Sequence, residues 1–126
     1  MKNPNDSFLR GRLRSLKFAL KGMWLLITME DSIKAQLFFG AVAVGFGLYF
    51  NISNTEWMIQ SLIIGMVLVA EALNTAIEKL ADFVHPDYHE KIGFIKDIAA
   101  GAPSFAAFTA LIVAGFIYGQ RMIELF

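Results

Sequence analysis

The sequence predicts an all-α membrane protein, with an N-terminal amphipathic surface helix followed by three transmembrane helices. Three observations carry that prediction. The 126 residues are 56% hydrophobic, with a mean hydropathy of +0.54, above the roughly 45–50% apolar content of soluble domains. Three apolar runs are long enough to cross a bilayer, which takes about 20 helical residues. The basic residues then fall almost entirely on one side of the arrangement those runs define.

The length fits one domain, residues 1–126, with an N-terminal region at 1–32 and a three-span bundle at 33–126. Eleven basic residues balance eleven acidic ones, so bulk charge points to no nucleic-acid partner. There is no cysteine, which removes disulfides, thiol catalysis and thiolate metal sites. Met1 to Ser7 is polar and leads into no apolar stretch with a small-residue cleavage site, so no cleavable signal peptide is expected.

Phe8 to Met29 reads as a helix. Leu9, Leu13, Leu16, Leu20, Met23 and Ile27 recur at spacings of three and four, and Arg10, Arg14, Lys17 and Lys21 run beside them, with Arg12 adding a charge. Such a helix suits the solvated face of a soluble bundle or the membrane interface. The apolar spans that follow favour the interface. Glu30-Asp31-Ser32 is a polar break. Ile33 to Ile52 is the first span. Val42 to Phe50 also fits a buried strand, but the length of the whole run favours a helix.

Asn51 to Glu56 reads as a turn, with Asn54 or Thr55 as the cap of the next helix. Trp57 to about Phe83 is the second span, long enough for its polar end to project from the membrane. Val84 to Gly93 is a polar connector in which Pro86 stops the helix. Phe94 or Ile95 to Tyr118 is the third span, and Pro103 within it is expected to kink it. Lys2, the basic helix, Lys34, Lys79, Lys91 and Lys96 share one side, and only Arg121 lies on the other. The N-terminus and the 84–93 loop are therefore expected in the cytoplasm.

The second span carries the chemistry. Glu71, Asn74, Thr75 and Glu78 share a helix face, with Asp82 one turn further. An ionisable side chain at a membrane centre costs roughly 2.5–3.5 kcal/mol on the insertion scale, so it marks a functional site by default. Glu30, Glu78, Lys96 and Asp97 can meet at one level of the membrane surface, with Glu71 about 10 Å deeper at 1.5 Å per residue. Glu30 and Glu78 can supply the one or two carboxylates that Mg²⁺ takes together with substrate phosphates. Lys96 can meet a phosphate as a point charge. Glu71, buried and acidic, can orient or deprotonate a hydroxyl. Asn74 is placed to hold Glu71 or a metal-bound water. The competing structural role for Glu71 and Asn74 is a hydrogen bond across helices. His85 and His89 have a zinc-ligand spacing, but Pro86 breaks the helix that would aim both rings one way. No Walker-type or kinase-type glycine loop is present.

Glu71-Ala72-Leu73-Asn74-Thr75-Ala76-Ile77-Glu78, followed by His89 and then by Ile95-Lys96-Asp97-Ile98-Ala99-Ala100-Gly101-Ala102, resembles the prokaryotic diacylglycerol kinase family of small integral-membrane lipid kinases, which includes undecaprenol kinases. Lys21-Gly22 followed by Glu30 matches the family's first acidic position. The resemblance covers nearly the whole chain. It implies a homotrimer with sites between subunits at the cytoplasmic interface, MgATP as phosphoryl donor, and a membrane lipid alcohol as acceptor, in the bacterial inner membrane. It places Glu71 as catalytic base, Glu30 and Glu78 as metal acids, Asn74 as an essential polar residue, and Lys96 and Asp97 beside the phosphates. Asp87, Tyr88 and His89 fall on the nucleotide-contacting loop, and Arg10 or Arg12 on a phosphate-contacting arginine. Ala99-Ala100-Gly101-Ala102 resembles the undecaprenol kinases more than the proteobacterial diacylglycerol kinases, which carry a serine there. Pro103 stands where the family has an aliphatic residue.

Phosphorylation of undecaprenol leads these readings, with diacylglycerol as the alternative acceptor. Two readings of other classes are a small proton-coupled transporter using the membrane glutamate, and an adaptor whose basic helix binds anionic lipid.

Overall fold

The computed structural model describes residues 3–126; Lys2, counted above in the basic bias, lies outside the described residues. Among the described residues four helices follow one another: α1 (Phe8–Met29), α2 (Asp31–Phe50), α3 (Asn54–Val84) and α4 (Glu90–Leu125). The last three are each long and apolar enough to cross a membrane. α3 and α4 form the most extensive pair, α2 packs along α3, and α1 packs least, against α2.

Each helix boundary has a local cause. Ser7 caps α1, its side chain accepting from the Arg10 N–H at 3.3 Å. One residue, Glu30, separates α1 from α2. Its extended backbone (φ −108°, ψ 114°) donates its N–H to the Leu26 carbonyl at 3.2 Å and offers its carbonyl to the Lys34 N–H at 3.1 Å. The expected three-residue break thus contracts to one, because Asp31 favours a helix's first turn. Asn51 ends α2 in the left-handed region (φ 52°), which asparagine tolerates better than most residues.

α3 starts at Asn54, earlier than expected, because Ser53 and Glu56 form a capping box. The Ser53 side chain accepts from the Glu56 N–H at 3.2 Å, and the Glu56 carboxylate accepts from the Ser53 N–H at 3.0 Å. α4 likewise starts early, at Glu90. The His89 Nδ1 accepts from the Lys91 N–H at 3.1 Å and caps it. α4 then runs unbroken through Pro103 to Leu125, beyond the expected end at Tyr118. The helices extend past the apolar runs because their polar ends cap and pair well enough to continue into water.

Little is buried within one copy. Ile52, Ile117 and Tyr118 form the core cluster, with Phe50, Trp57 and Val113 against it. At Gly47, an added Cβ would lie 2.6 Å from the Trp57 ring, so glycine is what lets α2 receive that indole. Leu62, Phe105 and Phe116 are instead more than 70% exposed. Apolar exposure of this extent belongs to lipid or subunit contacts.

Candidate active site

The polar stripe of α3 sits where its helical spacing places it. Asn74 and Thr75 are buried, and Glu71 and Glu78 are half-buried. The Asn74 Nδ2 donates to the Glu78 carboxylate at 3.3 Å. The expectation that Asn74 holds Glu71 is therefore corrected: the amide reaches one turn forward, to Glu78. The Asn74 Oδ1 is buried and has no hydrogen-bond partner. A buried polar atom left in that state is uncommon, and an amide oxygen accepts either a donor or a hard cation.

Glu30 arrives at the same level from the joint between α1 and α2. Its backbone serves both helix ends and its side chain caps neither, so the carboxylate is free to reach α3. It meets the Lys79 Nζ at 2.9 Å, with Glu30 largely covered and Lys79 largely exposed. Lys79 follows Glu78 in sequence, so this pair ties the Glu30 joint to the turn of α3 that carries Glu78. Among the described residues no three His, Cys, Asp or Glu side chains cluster closely enough to cage a metal. A pair of acids is what Mg²⁺ takes when phosphates complete its shell.

Lys96, the candidate phosphate contact, forms an ion pair with Asp82 across the α3–α4 interface. Asp82 thus holds the lysine rather than standing as a lone helix-end charge. Asp97, the next residue, is exposed. In the connector, the His85 Nδ1 lies 2.7 Å from the Asp87 carbonyl oxygen, so that nitrogen carries the proton. The His85 and His89 rings lie 5.5 Å apart, but one Nδ1 donates to the loop and the other caps α4. Asp87 and Tyr88 are exposed. Arg10 and Arg12 are also exposed, with Arg12 over the Phe8 ring at 6.0 Å.

The structure therefore joins Asn74 to Glu78, Glu30 to Lys79 and Lys96 to Asp82. It does not bring Arg10, Arg12, Asp87 or Tyr88 into hydrogen bonds or ion pairs with that group. Sequence reasoning missed Lys79 as the partner of Glu30. Its only signal was a cation beside Glu78.

The profile described as prokaryotic diacylglycerol kinase matches residues 17–118. The chain belongs to the prokaryotic diacylglycerol kinase family. The match takes in the Glu30 joint, the polar stripe of α3, the connector and Lys96-Asp97. This family member is 30% identical over 109 residues to the undecaprenol kinase of Bacillus subtilis, covering 86% of this chain and 89% of that one. It is 30% identical over 114 residues to the diacylglycerol kinase of Synechocystis sp., covering 90% of this chain and 65% of that protein. With the diacylglycerol kinase of Haemophilus influenzae it shares 23% identity over 107 residues, covering 85% and 87%. The protein is thus a membrane lipid kinase, and of the three classes of reading the sequence allowed, the family favours the kinase.

Proposed function

We propose that this kinase transfers the γ-phosphoryl group of ATP to the hydroxyl of undecaprenol, giving undecaprenyl phosphate. The reaction takes place at the cytoplasmic face of the bacterial inner membrane. The observation that carries the reading is the polar set on α3. A half-buried Glu71 lies about one turn from the Asn74–Glu78 pair, within a helix otherwise apolar enough to span a bilayer.

Phosphoryl transfer asks a protein mainly for positioning and charge neutralisation. Glu30 and Glu78, with the unpartnered Asn74 Oδ1 beside them, make a hard oxygen donor set that fits Mg²⁺. When bound there, Mg²⁺ neutralises charge on the ATP phosphates. Glu71 accepts the proton of the lipid hydroxyl as that oxygen bonds to the γ-phosphorus. The bond from phosphorus to the bridging oxygen breaks, and its electron pair leaves with ADP. Lys96, turning from Asp82, places positive charge beside the phosphates, and Asp97 lies next to it. Asp87, Tyr88 and His89 contact the nucleotide, and Arg10 or Arg12 meets a phosphate from the surface helix.

The working unit is a homotrimer. Large apolar side chains left exposed on α3 and α4 support sites finished by a neighbouring subunit. The Ala99-Ala100-Gly101-Ala102 run and the Bacillus relative support undecaprenol over diacylglycerol as acceptor. The deciding experiment is transfer from labelled ATP to each purified lipid in mixed micelles. Faster labelling of undecaprenol is expected. Preferential labelling of diacylglycerol reassigns the acceptor, and no transfer to either lipid overturns the reading.

A further inference from the structure

Away from Glu71, a second polar group interrupts the apolar interior. A cavity of about 390 Å³ lies between α2, α3 and α4, lined by side chains such as Phe39, Ile64, Val67 and Leu111. Gln60 and Tyr118 also line it, and they are only 3% and 9% exposed. The Tyr118 hydroxyl lies within hydrogen-bond reach of the Gln60 amide oxygen and, at 3.1 Å, of the Ala43 carbonyl oxygen. The Gln60 Nε2 has no partner.

That arrangement asks one proton to serve two acceptors while a buried donor goes unused. Amide nitrogen and oxygen are assigned from the hydrogen bonds they make. With the Gln60 amide turned over, its N–H donates to Tyr118, whose hydroxyl donates to Ala43. The amide nitrogen and the hydroxyl then each have a partner, and an amide oxygen is left without one at the cavity wall. An unpaired acceptor is easier to tolerate than an unpaired donor. With the amide turned over, that oxygen is satisfied only by a donor, and a ligand hydroxyl supplies one.

We propose that this cavity is a second lipid site, taking a long-chain lipid alcohol with its hydroxyl on Gln60 and its chain along the apolar walls. The volume is many times the roughly 30 Å³ a water takes up, and the wall is apolar apart from Gln36, Gln60 and Tyr118, which suits a long apolar chain with one polar end. Gln60 precedes Glu71 by 11 residues on one helix, about 16 Å at 1.5 Å per residue. An alcohol held there is out of reach of the Glu71 carboxylate and does not react. The site rests on the lipid-alcohol reading above only for its ligand class.

The test uses the full-length protein in lipid nanodiscs with a hexadecanol carrying a mid-chain diazirine. Photolabelling is expected in residues 60–67 and 107–117, with hexadecanol competing and hexadecyl methyl ether, which cannot donate, competing poorly. Gln60→Leu is expected to weaken labelling about fivefold, the size of one neutral hydrogen bond, with turnover unchanged. Ala110→Phe, which fills the cavity, is expected to abolish labelling and covers the case in which Gln60→Leu fails to fold. Equal competition by the ether, or undiminished labelling in folded Gln60→Leu, would overturn the site. Cross-links between copies from a photoreactive residue at position 110, without lipid labelling, would assign the cavity to a neighbouring subunit and likewise overturn it. Phosphoryl transfer is measured in the same nanodiscs. Lost labelling with transfer intact removes this site alone, whereas labelling without transfer removes the kinase assignment of acceptor and spares the site.

Discussion

Arg121 on α4 closes on the Glu56 carboxylate of α3 through both terminal nitrogens, at 2.8 and 3.0 Å. Its Nη1 also donates to the Ile117 carbonyl, and Glu56 is at the same time the acid of the Ser53 capping box. One carboxylate thus starts α3 and ties it to α4, at the end of the helices remote from Glu71. Two-point pairing of this kind is specific to arginine's planar fork. Arg121→Lys is expected to lower the unfolding temperature in detergent almost as much as Arg121→Ala, with kinase activity below that temperature unchanged. Thermal unfolding followed by circular dichroism checks this, and a lysine variant as stable as the parent would refute it.

Glu71→Gln keeps the shape of the side chain and removes its ability to take a proton. Turnover is expected to fall by about 10²–10⁴, the usual contribution of a general base, with ATP affinity nearly unchanged. Initial rates and nucleotide binding on the same preparation check both halves. Weakened ATP binding with turnover preserved would contradict the role.

If Glu30 holds the metal as proposed, its ion pair with Lys79 competes with the cation. In Lys79→Met the carboxylate loses that partner, so half-saturation is expected at lower Mg²⁺. Lys79 is largely exposed, and exposed pairs contribute little, so the shift should not exceed about fivefold. Glu78→Ala is expected to move the same titration the other way, to higher Mg²⁺, and to weaken ATP binding. An unmoved Mg²⁺ titration in both variants would remove Glu30 and Glu78 from the metal site.

Gly47→Ala puts a methyl group where the Trp57 ring already lies. Overpacking of this kind costs about 1–3 kcal/mol. Thermal unfolding is expected to show the loss, and Trp57→Leu in the same chain should recover part of it.

Helix number and type were legible because apolar length and periodicity depend only on local sequence. The cap of α3 is Ser53 rather than the expected Asn54 or Thr55; all three suit a cap by residue type, and only geometry separates them. Histidine is not among the favoured caps, so nothing in the sequence announced His89 at the head of α4. The stripe from Glu71 to Glu78 followed from helical spacing. The partners of Glu30 and Lys96 did not, because each lies on another helix and their pairing depends on how the helices dock. Gln60 and Tyr118 stand 58 residues apart, and no pattern within either helix links them.

The elbow at Glu30 leaves no slack in the tether between α1 and α2, since consecutive Cα atoms are fixed about 3.8 Å apart. Any tilt of α1 relative to α2 drags that carboxylate with it. The acid's position is thus set by two rigid rods rather than by a loop. Lengthening the elbow by even a few glycines would uncouple them.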